Sequence, residues 1–93
     1  MFMNLPLPLS VAIIAKNEER NIKRCLASLG GLASEIILVY NDCTDKTVEI
    51  AKSFGAKCFE NEWCGHIEQK NFALNKCTQD WVLCLDADEA ISQ

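Results

Sequence analysis

Residues 9–19 read LSVAIIAKNEE, an apolar run with a single serine that passes directly into a polar turn and two glutamates. An apolar run of this length with β-branched residues is typical of a strand buried on both faces. Asn17 belongs to the residue types that cap helices, and glutamates in a first turn complement the positive end of the helix dipole. The stretch therefore predicts a strand, a turn and a helix in immediate succession, as in a βαβ unit.

The same alternation repeats along the chain. Further buried-strand runs are EIILVY at residues 35–40 and WVLCL at 81–85, and AKCFEN at 56–61 is a short third strand between them. Apolar residues with helical spacing lie between them, at residues 22–29, 48–54 and 72–77. Gly30 and Gly31 end the first helix, Thr44 or Asp45 caps the second, and Gly55 ends it. Repeated βαβ units with short connections predict an α/β fold, a Rossmann-like parallel sheet of about four strands with flanking helices.

Composition narrows the functional classes. The 93 residues suffice for one small domain, and a net charge of −4 argues against a nucleic-acid-binding protein, which usually carries a basic face. No apolar run reaches the ~20 residues of a membrane helix. The first residues lack the positive charge of a signal peptide, so we expect a cytoplasmic protein. The six cysteines contain no Cys-x-x-Cys pair, which favours reduced core thiols over disulfides or a zinc site.

Polar clusters follow three of the predicted strands. They are Lys16-Asn17-Glu18, residues 40–45, and the acidic run at residues 86–89. Ligands of open parallel sheets bind outside the carboxyl ends of the strands, so all three clusters are expected at one edge. Asp86 and Asp88 would suit Mg²⁺ or Mn²⁺, which prefer oxygen ligands and substrate phosphates. Asp-x-Asp spacing alone fits a solvated turn or a helix cap more often than a metal site.

Three segments together resemble the start of a family 2 glycosyltransferase. They are SVAIIAKNEERNIKRCLASL, EIILVYNDCTDKTVEIAKSFGAKCF and GHIEQKNFALNKCTQDWVLCLDADE, and the resemblance runs from about Leu9 to Glu89. It is closest to the bacterial branch that adds sugars, such as glucose, to lipopolysaccharide cores. The family fold is of the GT-A type, in which a Rossmann-like nucleotide-sugar half precedes an acceptor half.

The resemblance implies a donor site for a nucleotide-diphosphate sugar, most simply a UDP-sugar. Asp86 and Asp88 match the Asp-x-Asp signature that holds a divalent cation, Mg²⁺ or Mn²⁺, on the donor diphosphate. The resemblance also implies donor contacts from Ala15, Lys16, Asn17, Glu18, Asp45 and Lys70.

One position departs from the family pattern. The family aspartate that hydrogen-bonds uracil corresponds here to Tyr40. Either Asp42, two residues later, takes over that hydrogen bond, or Tyr40 stacks on the base instead. Trp63 and Trp81 are candidate sugar contacts, although Trp81 at a strand start is more typical of packing. His66 is interpreted as a loop residue.

The family's acceptor site and general base lie well beyond the metal motif, whereas this sequence ends at Gln93. We therefore expect residues 1–93 to be a donor-binding half, truncated after Asp-x-Asp and inactive alone. It would be cytoplasmic or peripheral at the inner membrane, and the full-length protein would bind a saccharide or lipid-linked acceptor. An exposed sheet edge would favour self-association.

Two other functional classes stay open at this point. One is a non-catalytic α/β module that binds a partner or another copy of itself. The other is a phosphate-receiver domain, which ranks lower because its third strand normally ends in a phosphorylatable aspartate. Here the third strand ends in Glu60-Asn61.

Overall fold

The computed structural model describes residues 7–29 and 31–87. Its elements in chain order are β1 (Leu7–Ala15), α1 (Glu19–Leu29), β2 (Ala33–Tyr40), α2 (Thr47–Ser53), β3 (Lys57–Glu60), α3 (His66–Lys76) and β4 (Trp81–Asp86). The predicted alternation of strands and helices is confirmed. The second aspartate of the metal motif, Asp88, lies outside the described residues. None of the described helices is long and apolar enough to cross a bilayer.

All four strands form one parallel sheet in the order β3-β2-β1-β4. The chain moves outward from β1 to β2 and β3, then returns to place β4 on the other side of β1. Since such crossovers are right-handed, this reversal places helices on both faces of the sheet. The register pairs Ala15 with Tyr40, Tyr40 with Glu60, and Ile14 with Asp86, so the carboxyl ends of the four strands meet at one edge. The predicted Rossmann-like fold class is confirmed.

The core has two layers because side chains alternate across a strand. One layer packs β1 and β2 against α1 and α2, and includes Val11, Ile13, Ile22, Leu26 and Leu38. The other packs β1 and β2 against α3, and includes Ala12, Ile37, Val39 and Ala73. Strands β1 and β2 are therefore buried on both faces, as their apolar runs predict.

Strand β4 differs from the central strands, because it lies at the edge of the sheet and α3 contacts β1 and β2 instead. Trp81 is 70% exposed and Val82 is 40% exposed. The apolar run at residues 81–85 correctly predicts a strand, but the structure corrects the expectation that it is buried. Burial of this strand depends on what covers an edge, which the run itself does not encode.

Two further expectations need correction. The apolar spacing at residues 48–54 places Phe54 on the buried face of the second helix. In the structure Phe54 follows α2 and is 38% exposed, while Thr47 and Ala51 provide the buried face of that helix. The cysteines are expected to be reduced core residues. All six are free thiols, but Cys25 alone among them is buried, and Cys64 and Cys84 are exposed.

A buried carboxylate ties together the opposite, amino-terminal edge of the sheet. Glu35 accepts hydrogen bonds from the Ser10 hydroxyl at 2.6 Å and from the Thr78 backbone N–H at 2.8 Å, and pairs with the Lys57 ammonium at 3.2 Å. Burial raises the pKa of Glu35, but the hydrogen bonds from Ser10, Thr78 and Lys57 outweigh it and lower the pKa to about 2. The network joins β1, β2 and β3 to the loop before β4.

Candidate functional site

A cleft of about 560 Å³ opens at the carboxyl edge of the sheet. Its walls come from the ends of β1, β2 and β4 and from the segment that leads into α3. The lining residues are Ile14, Ala15, Lys16, Glu18, Asn41, Asp42, Trp63, His66, Asp86 and Ala87. Five predicted site residues are thus brought together: Ala15, Lys16, Glu18, Asp42 and Asp86.

The centre of the cleft lies where the strand order reverses. Asp86 ends β4 directly opposite Ile14 of β1, and β2 lies on the other side of β1 from β4. Open α/β sheets bind ligands at such a switch point. Asp86 is half-buried, and the following Ala87 is 1% exposed. The carboxylate is therefore followed by a residue that is packed in the protein interior.

The cleft has carboxylates suited to a divalent cation, but they do not form a complete site. Among residues 7–29 and 31–87, no three His, Cys, Asp or Glu side chains are grouped closely enough to hold a metal ion. Mg²⁺ and similar ions at phosphate sites take only one or two protein carboxylates and complete their shell with phosphate oxygens and water. Asp86 therefore fits a cation that binds together with a phosphate ligand.

Asn17 does not cap α1, contrary to the expectation from its position. Its backbone has a φ of +50°, a left-handed conformation that asparagine tolerates better than most residues. The side-chain Oδ1 accepts hydrogen bonds from the backbone N–H groups of Thr44 at 2.8 Å and Asp45 at 3.3 Å. Asn17 thus connects the loop after β1 to the loop after β2.

Asp45 completes this connection, which we call the loop clasp (Asn17, Glu18, Glu19, Asp45 and Thr47). Its carboxylate accepts hydrogen bonds from the first N–H groups of both helices, Glu19 of α1 at 3.1 Å and Thr47 of α2 at 3.0 Å. The Thr47 hydroxyl accepts from the Glu18 N–H at 2.8 Å. Partial burial raises the pKa of Asp45, but the hydrogen bonds from Thr47 and Glu19 outweigh it and lower the pKa. A negative charge between two helix N-termini is also favoured by both dipoles.

The clasp faces a separate groove of about 290 Å³ beside the main cleft, lined by Asn17, Glu18 and Asp45 among others. Asn17 and Asp45 are not among the residues that line the main cleft, whereas Glu18 lines both. Asn17 and Asp45 instead join the two loops that carry Lys16 and Asp42.

Two other predicted donor residues lie away from the cleft lining. Tyr40 is half-buried and packs against the core layer under α1 and α2. Burial, followed by the nearby Glu60 carboxylate, raises the pKa of Tyr40. Lys70 is exposed on α3.

The structure adds cleft residues that sequence reasoning did not assign. Asn41 follows β2 and is 7% exposed, and His66 is the first residue of α3. Trp63, a candidate sugar contact by its residue type, lines the cleft, whereas Trp81 lies at the other end of β4. The position of Trp63 in the sequence could have identified it as a cleft residue. Residues 61–65 follow the third strand and so belong to the same edge of the sheet.

Comparison with known proteins gives a consistent result. The sequence profile described as glycosyl transferase family 2 matches residues 10–93. An uncharacterised glycosyltransferase of Rickettsia typhi is 48% identical over 85 residues, which cover 91% of this chain and 29% of that protein. The lipopolysaccharide core biosynthesis glycosyltransferase LpsC of Rhizobium meliloti is 37% identical over 92 residues, which cover 94% of this chain and 34% of that protein.

Solved structures agree on the fold. Glucosyl-3-phosphoglycerate synthase from Mycobacterium tuberculosis in complex with UDP superposes with a TM-score of 0.75 at 27% identity, over 87% of this chain and 34% of that one. The same enzyme with Mn²⁺, UDP-glucose and phosphoglyceric acid gives 0.74 at 25% identity, over 88% of this chain and 35% of that one. The chain thus spans about a third of the length of these proteins. By its sequence profile and its fold, the chain belongs to glycosyl transferase family 2.

Proposed function

We propose that this chain is the donor-binding part of a glycosyltransferase and binds a nucleotide-diphosphate sugar, most simply a UDP-sugar, in the cleft. One observation carries the proposal. Asp86 at the end of β4 faces the crevice beside the turn at residues 15–18, at the switch point of a parallel sheet. The superposed Mycobacterium tuberculosis synthase was solved with UDP, UDP-glucose and Mn²⁺, which supports this ligand class.

The proposed roles follow from where each side chain lies. Asp86, together with Asp88, would hold Mg²⁺ or Mn²⁺ on the diphosphate, where the cation supplies charge stabilisation for the leaving group. Lys16 adds a positive charge on the β1 side of the same crevice. Asn41 and Asp42 offer hydrogen-bonding groups at the end of β2, farther along the edge.

For the full-length protein we propose transfer to a saccharide or lipid-linked acceptor in lipopolysaccharide or another cell-surface glycan. The likeness to LpsC supports this acceptor class. That residues 1–93 form a donor-binding half that is inactive alone stays a prediction. A location in the cytoplasm, or at the surface of the inner membrane, also stays a prediction.

The proposed function is tested by calorimetric titration of UDP with and without Mn²⁺. We expect binding that requires the cation and that falls by at least ~10-fold in Asp86→Asn, since that change removes a charged ligand of the cation. Asp80→Asn is the matched control, because Asp80 is exposed and lies before β4, at the opposite edge of the sheet. Circular dichroism establishes that each variant is folded. Failure of the folded wild-type chain to bind UDP, or equal affinities in the two variants, would overturn the proposal.

We also propose that two copies associate through β4. An edge strand presents unpaired backbone groups to solvent, and here Trp81 and Val82 add exposed apolar surface. Sedimentation velocity across micromolar concentrations should show a dimer that Trp81→Lys weakens. A strictly monomeric wild-type chain would contradict this proposal without affecting the one on donor binding.

A further inference from the structure

The loop between β3 and α3, residues 61–65, supplies the largest aromatic ring among the described lining residues of the cleft. That ring is the indole of Trp63, which is 44% exposed. So large an apolar surface at the mouth of a cleft forgoes the stabilisation that burial would give. A ligand that covers the indole would recover that stabilisation.

This loop is anchored at Asn61, its first residue. The Asn61 backbone N–H donates to the Tyr40 carbonyl at 3.0 Å. The Asn61 side-chain amide donates to Gln69 Oε1 at 2.8 Å, and Gln69 Nε2 donates to the Asn61 carbonyl at 3.2 Å. Gln69 is fully buried, and Gly65, at a φ of +107°, turns the chain into α3. Asn61 and the start of α3 are therefore held together, and Trp63 lies in the short exposed segment between them.

The imidazole of His66 packs against the indole of Trp63. The centroids of the two rings lie 5.0 Å apart with an interplanar angle of 83°, a favoured edge-to-face geometry. Since Trp63 is 44% exposed, part of its apolar surface stays open to a ligand beside this contact. The site thus offers exposed aromatic surface that is packed against a second ring.

The groups that line the cleft match the two parts of a nucleoside diphosphate. Asp86 ends β4, Lys16 follows the neighbouring β1, and both are charged groups suited to a cation and a diphosphate. The aromatic face of Trp63 enters the same cleft from another wall, the segment between β3 and α3.

We propose that Trp63 stacks on the nucleobase of the bound nucleoside diphosphate, with His66 as the positioning residue for its ring. The inference rests on the proposed function and deepens it by naming the residue that holds the base. Stacking by Tyr40 was one of two alternatives that the sequence left open, and its side chain packs on the core instead. Trp63 would take over that role.

The first test observes Trp63 directly. The chain has two tryptophans, so Trp81→Phe leaves Trp63 as the sole indole fluorophore. Titration of this variant with UDP and Mg²⁺ should quench or shift the emission. Titration with inorganic diphosphate and Mg²⁺ should not, because that ligand has no base to stack.

The second test separates stacking from a structural role. Trp63→Leu should weaken UDP binding by about 5- to 100-fold, the range found when a base-stacking aromatic is removed. The affinity for inorganic diphosphate should change by less than about 2-fold, since that ligand has no base for the indole to stack on. Trp63→Phe should restore most of the UDP affinity, and Trp81→Leu serves as the control.

Each outcome decides the question. UDP binding without a change in Trp63 emission overturns the inference, and so does a parallel loss of UDP and diphosphate affinity in Trp63→Leu. If the Leu variant does not fold, the fluorescence test and Trp63→Phe still report on the intact loop. Absence of UDP binding in the wild-type chain is a separate result, which overturns the proposed function together with this inference.

Discussion

Replacement of Glu35 by glutamine should produce the largest loss of stability among single changes at the amino-terminal edge of the sheet. The wild-type carboxylate is 8% exposed and bonded to Ser10, Thr78 and Lys57. The pKa of Glu35 is about 2 against an ordinary 4.5. At about 1.4 kcal/mol per pKa unit, this difference corresponds to about 3 kcal/mol of folding free energy at neutral pH.

The free energy derived from the pKa difference overestimates the stability that Glu35 contributes. The Lys57 side chain is 64% exposed, so solvent screens its share of the interaction. We therefore expect Glu35→Gln to lower the free energy of unfolding by about 2 kcal/mol, out of a total of roughly 5–14 kcal/mol for a chain of this length. Lys57→Met should cost less than about 1 kcal/mol.

The pH dependence follows from the direction of the pKa change. Because folding depresses the pKa of Glu35, its contribution is fully present above about pH 5 and is lost as the pH falls through 4.5 towards 2. Urea unfolding followed by circular dichroism over this range should show a steep loss of stability in the wild type and a flatter profile in Glu35→Gln. Glu62→Gln, at an exposed loop position, is the matched control.

Equal pH profiles in the wild type and Glu35→Gln would refute this reasoning. So would a free-energy loss for Glu35→Gln no larger than that for Glu62→Gln, because the buried hydrogen bonds would then contribute nothing measurable. The comparison uses differences between variants, so it does not depend on the absolute stability of the chain.

Two further predictions test the loops around the cleft. Asn17→Ala should weaken UDP binding several-fold, because it removes two hydrogen bonds that hold the loop after β2 and leaves a left-handed residue without its side-chain support. Asn17→Asp keeps the acceptor oxygen and should retain most of the affinity; unchanged affinity in Asn17→Ala would show that the clasp does not position the cleft. Gln69→Leu should lower the free energy of unfolding by about 1–3 kcal/mol, because it strands the polar groups of Asn61. Thermal unfolding measures this loss, and a neutral effect would mean that water replaces the amide.

The sequence by itself determined the order of strands and helices and the edge where polar residues converge. Both are local properties: β1 and β2 are long apolar runs with β-branched residues, and the side-chain spacing at residues 22–29 admits one buried helix face. The carboxyl-end rule then places Lys16, Asp42 and Asp86 at one edge without knowledge of strand order.

Tertiary structure decided which of those residues share the cleft. Asp86 lies beside the turn after β1 because β4 pairs with β1, a choice between sheet edges that no local pattern encodes. Tyr40 lies on the face covered by α1 and α2, so its ring packs on the core. Asn17 bonds across to residues 44 and 45, because the partners available to a loop side chain depend on which loop the fold places next to it.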